Sequence, residues 1–172
     1  NANPSKVIAP VGTDFYIDLT YEPDNAEHAG VWYYNSVYLT HLDDSTPERA
    51  HFKIIEKSPN ISMSYQNGNA YPAYVSVDSS HDPLTGVTLS PTSEIAPLGT
   101  TFTIDIHYEP DTAYHFGVWL FEHEYLEHLN HGDYEKGTFK VIKKSDTPLT
   151  LTYKSMGHSA TNTCVASYDA LT

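Results

Sequence analysis

Residues 12–32 occur twice in this chain. Gly12-Thr13, Phe15, Ile17, Asp18, Tyr21-Glu22-Pro23-Asp24, Ala26, His28 and Gly30-Val31-Trp32 return 87 positions later as Gly99-Thr100, Phe102, Ile104, Asp105, Tyr108-Glu109-Pro110-Asp111, Ala113, His115 and Gly117-Val118-Trp119. The same offset pairs Ile8-Ala9-Pro10 with Ile95-Ala96-Pro97, Tyr38-Leu39 with Tyr125-Leu126, His41-Leu42 with His128-Leu129, and Phe52-Lys53 with Phe139-Lys140. No gap is needed from Ile8 to Ser58. A duplication of this length must fold as one unit made twice. We therefore divide the chain into residues 1–84 and 85–172, each of ordinary small-domain size.

Within each copy the hydrophobic period is two. From Asp14, Phe15, Ile17, Leu19 and Tyr21 alternate with Tyr16, Asp18, Thr20 and Glu22; the second copy sets Phe102, Ile104, Ile106 and Tyr108 against Thr103, Asp105, His107 and Glu109. That is a half-buried strand. Proline and Asp then mark a turn at Glu22-Pro23-Asp24 and at Glu109-Pro110-Asp111. In the stretch 30–42, Val31-Trp32-Tyr33-Tyr34 reads as strand and Val37-Tyr38-Leu39 as its continuation or a neighbouring strand. In the second copy 121–131 also admits a helix, but both copies must share a fold and the first copy decides for strand. Further strands are expected at 51–57 and 138–144, at 61–66 and around Leu149, Leu151 and Tyr153, and finally near 73–78 and 164–169. Pro4 and Pro10 predict a short, broken first strand, because proline donates no ladder hydrogen bond. The expected class is all-β, two tandem antiparallel β-sandwich domains related by internal duplication, with turns at intervals typical of sandwiches.

The charge is strongly negative and evenly shared. There are 4 basic and 11 acidic residues in 1–85 and 5 basic and 11 acidic in 86–172, for a net −13. Such a field repels phosphate backbones and anionic membranes, which argues against nucleic-acid partners. No apolar run approaches membrane-spanning length, so membrane insertion is not expected. The single cysteine, Cys164, excludes an intrachain disulfide. The chain opens on Asn1, and we expect a processed or excised segment with further units upstream.

With the strands in place, each copy resembles an immunoglobulin-like domain of the disulfide-free kind found in tandem on bacterial surfaces and phage virions. The residues that carry the likeness are the alternating second strand ending at Tyr21 or Tyr108, the tryptophan that follows (Trp32 or Trp119), and Tyr65 or Tyr153 late in each copy. The resemblance implies a core tryptophan between two sheets. The core-structural set expected on this basis is Trp32, Trp119, Phe15, Phe102, Ile17, Ile104, Tyr21 and Tyr108. It also implies a location outside the cell, on a cell surface or on a virion surface.

Candidate sites are few. Unit two adds His123 and His131 to the recurring His128 as candidate metal ligands: on a helix Glu124, Glu127, His128 and His131 would share one face and suit zinc or copper, whereas the strands favoured here would scatter them over both faces and leave surface histidines. Asp24 and Asp111, at the ends of acidic strands, are candidate calcium ligands, although no DxDxDG spacing is present. Turn formation and solubility explain the same carboxylates, so the expected cofactor is none, with zinc or calcium as the alternatives. Tyr33, Tyr34, Tyr71 and Tyr74 are candidate sugar-stacking rings, and equally cross-strand pairs. No GxSxG, HExxH, CxxC or Gly-rich phosphate loop occurs. The sequence thus points to a non-enzymatic spacer, decoration or protein–protein interaction module whose partners are other subunits or neighbouring repeats. A carbohydrate-binding module is the alternative, with surface glycan as partner.

Overall fold

The structure, a computed structural model, describes residues 1–171. Its elements are all strands. Among the described residues no helix is long and apolar enough to cross a membrane. The chain divides into two compact units, Asn1–Pro83 and Leu84–Thr172.

Unit one contains β1 (Ala2–Asn3), β2 (Lys6–Ile8), β3 (Asp14–Leu19), β4 (Val31–Tyr33), β5 (Leu39–His41), β6 (Arg49–Ile54), β7 (Ile61–Gln66) and β8 (Ala73–Asp78). They form two four-stranded sheets, ordered β1-β3-β6-β5 and β2-β8-β7-β4. Unit two repeats this with β9 (Gly86–Ser90), β10 (Ser93–Ile95), β11 (Thr101–Glu109), β12 (Val118–Leu120), β13 (Leu126–His128), β14 (Lys136–Val141), β15 (Leu149–Ser155) and β16 (His158–Val165). Its sheets run β9-β11-β14-β13 and β10-β16-β15-β12. This order is that of an immunoglobulin-like sandwich: first, second, fifth and fourth strands in one sheet, third, sixth and seventh in the other. The first strand of each unit is split at Pro4 or Pro91. Its first half pairs antiparallel in one sheet, and its second half crosses over to pair parallel with the last strand, Lys6↔Ser76 and Ser93↔Thr163. A missing N–H at the break is what lets the strand leave one ladder for the other.

The inward positions make one apolar cluster per unit. In unit one, Ile17, Leu39, Phe52 and Ile54 from one sheet meet Ile61, Met63, Val75 and Val77 from the other; in unit two Ile104, Leu126, Phe139 and Val141 meet Leu149, Leu151, Tyr153 and Cys164. Of the expected core set, Phe15, Phe102, Ile17, Ile104 and Tyr108 are buried. Tyr21 is half-buried and lies just beyond the end of β3.

The tryptophans pack between the sheets as expected, but at the flank and not at the centre. Trp32 and Trp119 are only half-buried, and the rings filling the centre are Phe52 and Phe139, both fully buried. The cause is position. β4 and β12 are three-residue edge strands, so each indole closes the flank of its sandwich, edge-on to Phe52 at 5.3 Å or Phe139 at 5.1 Å.

Three boundaries also move. β6 and β14 begin two residues earlier than expected, because Ala50 and Gly137 already pair with Ile17 and Ile104. The stretch 30–42 is two short strands, separated by a turn in which the Leu39 N–H reaches the Asn35 carbonyl. The 121–131 stretch holds β13 and turns, not a helix. Lastly β16 starts at His158, six residues before the expected 164, because Met156-Gly157 makes a two-residue hairpin turn and Ser155 pairs directly with His158. Cys164 stands where unit one has Val77, opposite Leu149 as Val77 stands opposite Ile61.

Candidate interaction sites

The most nearly identical feature of the two units is a polar staple at one end of the sandwich. In unit one the Gly30 N–H donates to the Tyr65 hydroxyl (2.9 Å), and Tyr65 and Tyr21 hydroxyls lie 2.9 Å apart. Tyr21 in turn donates to the Pro47 carbonyl (2.6 Å). Since Tyr21 has one proton and gives it to Pro47, Tyr65 must be the donor between the two rings. Unit two repeats the chain, with Tyr153 and Tyr108 hydroxyls 2.7 Å apart and Tyr108 donating to the Tyr134 carbonyl at 2.7 Å. Burial, reinforced by the hydroxyl pair, pushes the Tyr21 and Tyr108 phenols well above the ordinary tyrosine range.

A histidine lies flat on each of these rings. His28 stacks on Tyr21 at 3.8 Å and its Nδ1 meets Glu48 at 2.9 Å; His115 stacks on Tyr108 at 4.0 Å and meets Glu135 at 2.5 Å. The recurring histidines are thus committed to tying the 22–30 and 109–117 loops down. Sequence reading missed their partners. Glu48 and Glu135 recur at the same 87-residue offset inside loops that otherwise differ, and that recurrence was the available signal.

A second polar cluster belongs to unit one alone. His51, buried in β6, places Nδ1 2.5 Å from Asp44 and stacks on Tyr16 at 4.1 Å, with the Arg49 guanidinium over the same tyrosine. The hydrogen bond from His51 holds the Asp44 carboxyl below the usual carboxylate range. Beside it Ser45 Oγ lies 2.8 Å from His41 Nε2, but the hydroxyl donates to the Leu42 carbonyl and accepts the His51 N–H. Ser45 thus ties His41, the Leu42 carbonyl and the His51 N–H together in one turn.

In unit two the candidate histidines are brought together without a helix. His123, His128 and His131 line one open depression with Trp119, Phe121 and Asp133. His128 stacks on Phe139 at 4.8 Å and stands 4.5 Å from His131 in an edge-to-face arrangement, while His123 lies against Phe121. Burial, with the neighbouring His131, pulls the His128 pKa below the usual histidine value. Its Nε2 and the Trp119 Nε1 are buried without a hydrogen-bond partner. Glu124 is drawn away to Lys143, and Glu127 is exposed. Among the described residues no group of three or more His, Cys, Asp or Glu is placed to hold a metal ion. Asp24 and Asp111 sit exposed in the loops after β3 and β11, and the Asp111 carbonyl accepts from His115.

The candidate stacking tyrosines separate. Tyr33 on β4 and Tyr74 on β8 both stand opposite Ser64 of β7, so the three form one outward row. Both rings are largely exposed, at 61% and 66%. Two strand spacings put them about 9.6 Å apart with a small hydroxyl between. Tyr34 points the other way, edge-on to Phe52 at 5.3 Å, and Tyr71 is fully exposed in the loop before β8. In unit two the same row reads Leu120, Thr152 and Thr161, with no ring.

Comparison with known proteins adds the following. A scan of protein-family models and a search of curated protein sequences return no match. Solved structures similar to this chain include domains 1–6 of the surface layer protein SbsC, at 12% identity and a TM-score of 0.44, covering 78% of this chain and 20% of that one. An I-band fragment of titin shows 10% identity and a TM-score of 0.38, covering 99% and 64%. The tandem Ig repeats of Dlar show 9% identity and a TM-score of 0.32, covering 96% of each. The chain spans about a fifth of the SbsC structure and under two thirds of the titin fragment. The assignment of the fold rests on the sheet order described above.

Proposed function

We propose that this chain is a non-catalytic mechanical spacer and interaction segment of a larger surface protein, on a cell, a filament or a virion. The observation that supports it most is where the ends of each unit lie. The second half of the first strand runs parallel beside the last strand, Lys6–Ile8 along Ser76–Asp78 and Ser93–Ile95 along Thr163–Val165. Flanking bonds extend both pairings: Ser76 N–H to Ser5, Ala9 N–H to Asp78, Thr163 N–H to Thr92 and Ala96 N–H to Val165. A pull on the chain ends loads all of these bonds together in shear, whereas an antiparallel terminal pair would open one bond at a time. The retained residues are core and staple, and the exposed rows differ, as expected of units kept for their scaffold.

Single-molecule stretching tests this. Two discrete unfolding events per chain are expected, and Ala9→Pro, which removes one clamp donor, should lower the force of one of them only. Gradual extension without force peaks would refute the reading.

The Tyr33–Ser64–Tyr74 row supports a second reading, a glycan platform on unit one, since paired exposed rings on a flat sheet suit the apolar faces of sugars. A glycan array in which binding disappears in both Tyr33→Ala and Tyr74→Ala, but not in Tyr71→Ala, would favour it over the spacer alone.

A further inference from the structure

We infer that His128 and His131 form a two-imidazole site for a divalent transition-metal ion of the zinc class, present in unit two and missing from unit one. His128 is the last residue of β13 and is fixed in place by its stack on Phe139, so one ligand is held on a rigid element. Its Nε2 is buried without a hydrogen-bond partner, as are those of His28 and His51, but His128 has a second imidazole 4.5 Å away with which a metal could be shared.

The second ligand is three residues on, exposed at the rim of the same depression. Zinc–nitrogen bonds of about 2.0–2.1 Å at a tetrahedral angle put two bound imidazole centroids roughly 5 Å apart. The two rings already stand 4.5 Å apart. Asp133, on the same wall, is not available, because its carboxylate accepts the Glu135 and Lys136 N–H groups and the Asn130 amide. The protein therefore supplies two nitrogens and solvent fills the other positions. Two imidazoles favour zinc or copper over calcium and magnesium, which seek oxygen. In unit one the place of His131 is taken by Asp44, already bonded to His51, and His41 keeps Ser45 as its partner.

Zinc titration of the intact protein at pH 7.5, by calorimetry and by the histidine side-chain NMR signals, tests the site. We expect a saturable one-to-one component with the His128 and His131 resonances shifting first, and no response to magnesium. His131→Ala changes an exposed side chain and should leave the melting curve in place while weakening zinc at least tenfold, since even outer-shell partners of metal ligands are worth about 10–100-fold. His128→Phe keeps the stack on Phe139 and should abolish the component. An unchanged isotherm in His131→Ala, first shifts at other histidines, or equal competition by calcium would overturn the assignment.

Discussion

Gly117 is the position where a single methyl group should do most harm. A Cβ built there would lie 2.4 Å from Tyr153 Cζ, 2.5 Å from its hydroxyl and 2.5 Å from the Lys154 carbonyl, all closer than real Cβ atoms come. Tyr153 would have to retreat by about 1 Å to reach ordinary contact. It is fully buried and its hydroxyl is bonded to Tyr108, so there is no room behind it. The Lys154 carbonyl belongs to the strand that pairs with Val118, so backing the glycine away breaks β12 from β15. Overpacking of this kind costs about 1–3 kcal/mol, and loss of the tyrosine–tyrosine bond adds about 1 kcal/mol. We expect Gly117→Ala to lose at least about 2 kcal/mol, a fall of at least ~8 °C in the melting of unit two. Cys164 provides the assay, because the only thiol in the chain is buried in unit two and its labelling during heating reports that unit alone. Gly86→Ala is the control, since its Cβ would meet nothing closer than 3.9 Å. A shift under about 2 °C in Gly117→Ala, equivalent to less than ~0.5 kcal/mol, would refute the close approach.

Phe139→Ala should cost about 3–5 kcal/mol, and Trp119→Ala measurably less, because Phe139 is fully buried and the indole only partly so; chemical denaturation of the two variants would show the order. Met156 holds φ 44° beside Gly157 in the two-residue turn of the β15–β16 hairpin, where Asn-Gly is preferred, so Met156→Asn is expected to raise stability by about 0.5–1 kcal/mol by thermal melting. Burial lowers the pKa of His41 and of His128, so each folded unit binds fewer protons than its unfolded chain. Stability is then intact above the unfolded value near 6.5 and declines as pH falls through it, and His128→Phe should flatten that decline in unit two. The tyrosine staple runs the opposite way. The raised pKa of Tyr108 means stability present below about pH 10 and lost as pH rises beyond it, a loss that Tyr108→Phe should reduce in alkaline denaturation curves. Burial pushes the Cys164 thiol up to about 11, so labelling in the folded protein should be slow at neutral pH, and Cys164→Val, which copies Val77 of unit one, should cost less than about 1.5 kcal/mol.

The duplication made the fold legible. Alternation over 14–21 and 101–108 is a local property of the chain, and it placed Phe15, Ile17, Phe102, Ile104 and Tyr108 inside, where they are. Edge status is not local. Whether a tryptophan sits at the centre or on the flank depends on which strand lies beside it, and nothing in Val31-Trp32-Tyr33 encodes that β4 has a neighbour on one side only. The same limit applies to the histidines. On strands they are expected to scatter over both faces, whereas a strand end and the following turn bring His128 and His131 together without any periodic signal.

What the two copies share and what they do not now sort by place in the fold. Tyr21, His28, Gly30, Glu48 and Tyr65 have counterparts in Tyr108, His115, Gly117, Glu135 and Tyr153, and every one of them works inside its own unit. The outward row does not match: Tyr33, Ser64 and Tyr74 face Leu120, Thr152 and Thr161. Nor does the flank, where Asp44 and His51 stand in place of His131 and Thr138. A residue that holds the sandwich together is constrained by partners on the same unit, and those partners were copied along with it. A residue that faces outward is constrained only by what it meets there. The tyrosine row and the histidine depression are two of the outward places where the copies diverge, and a recognition role that differs between the units would be expected there. Exchanging the two sets should carry binding with them and leave both melting transitions nearly unmoved, because surface substitutions away from caps and cores usually change stability by no more than about 0.5 kcal/mol.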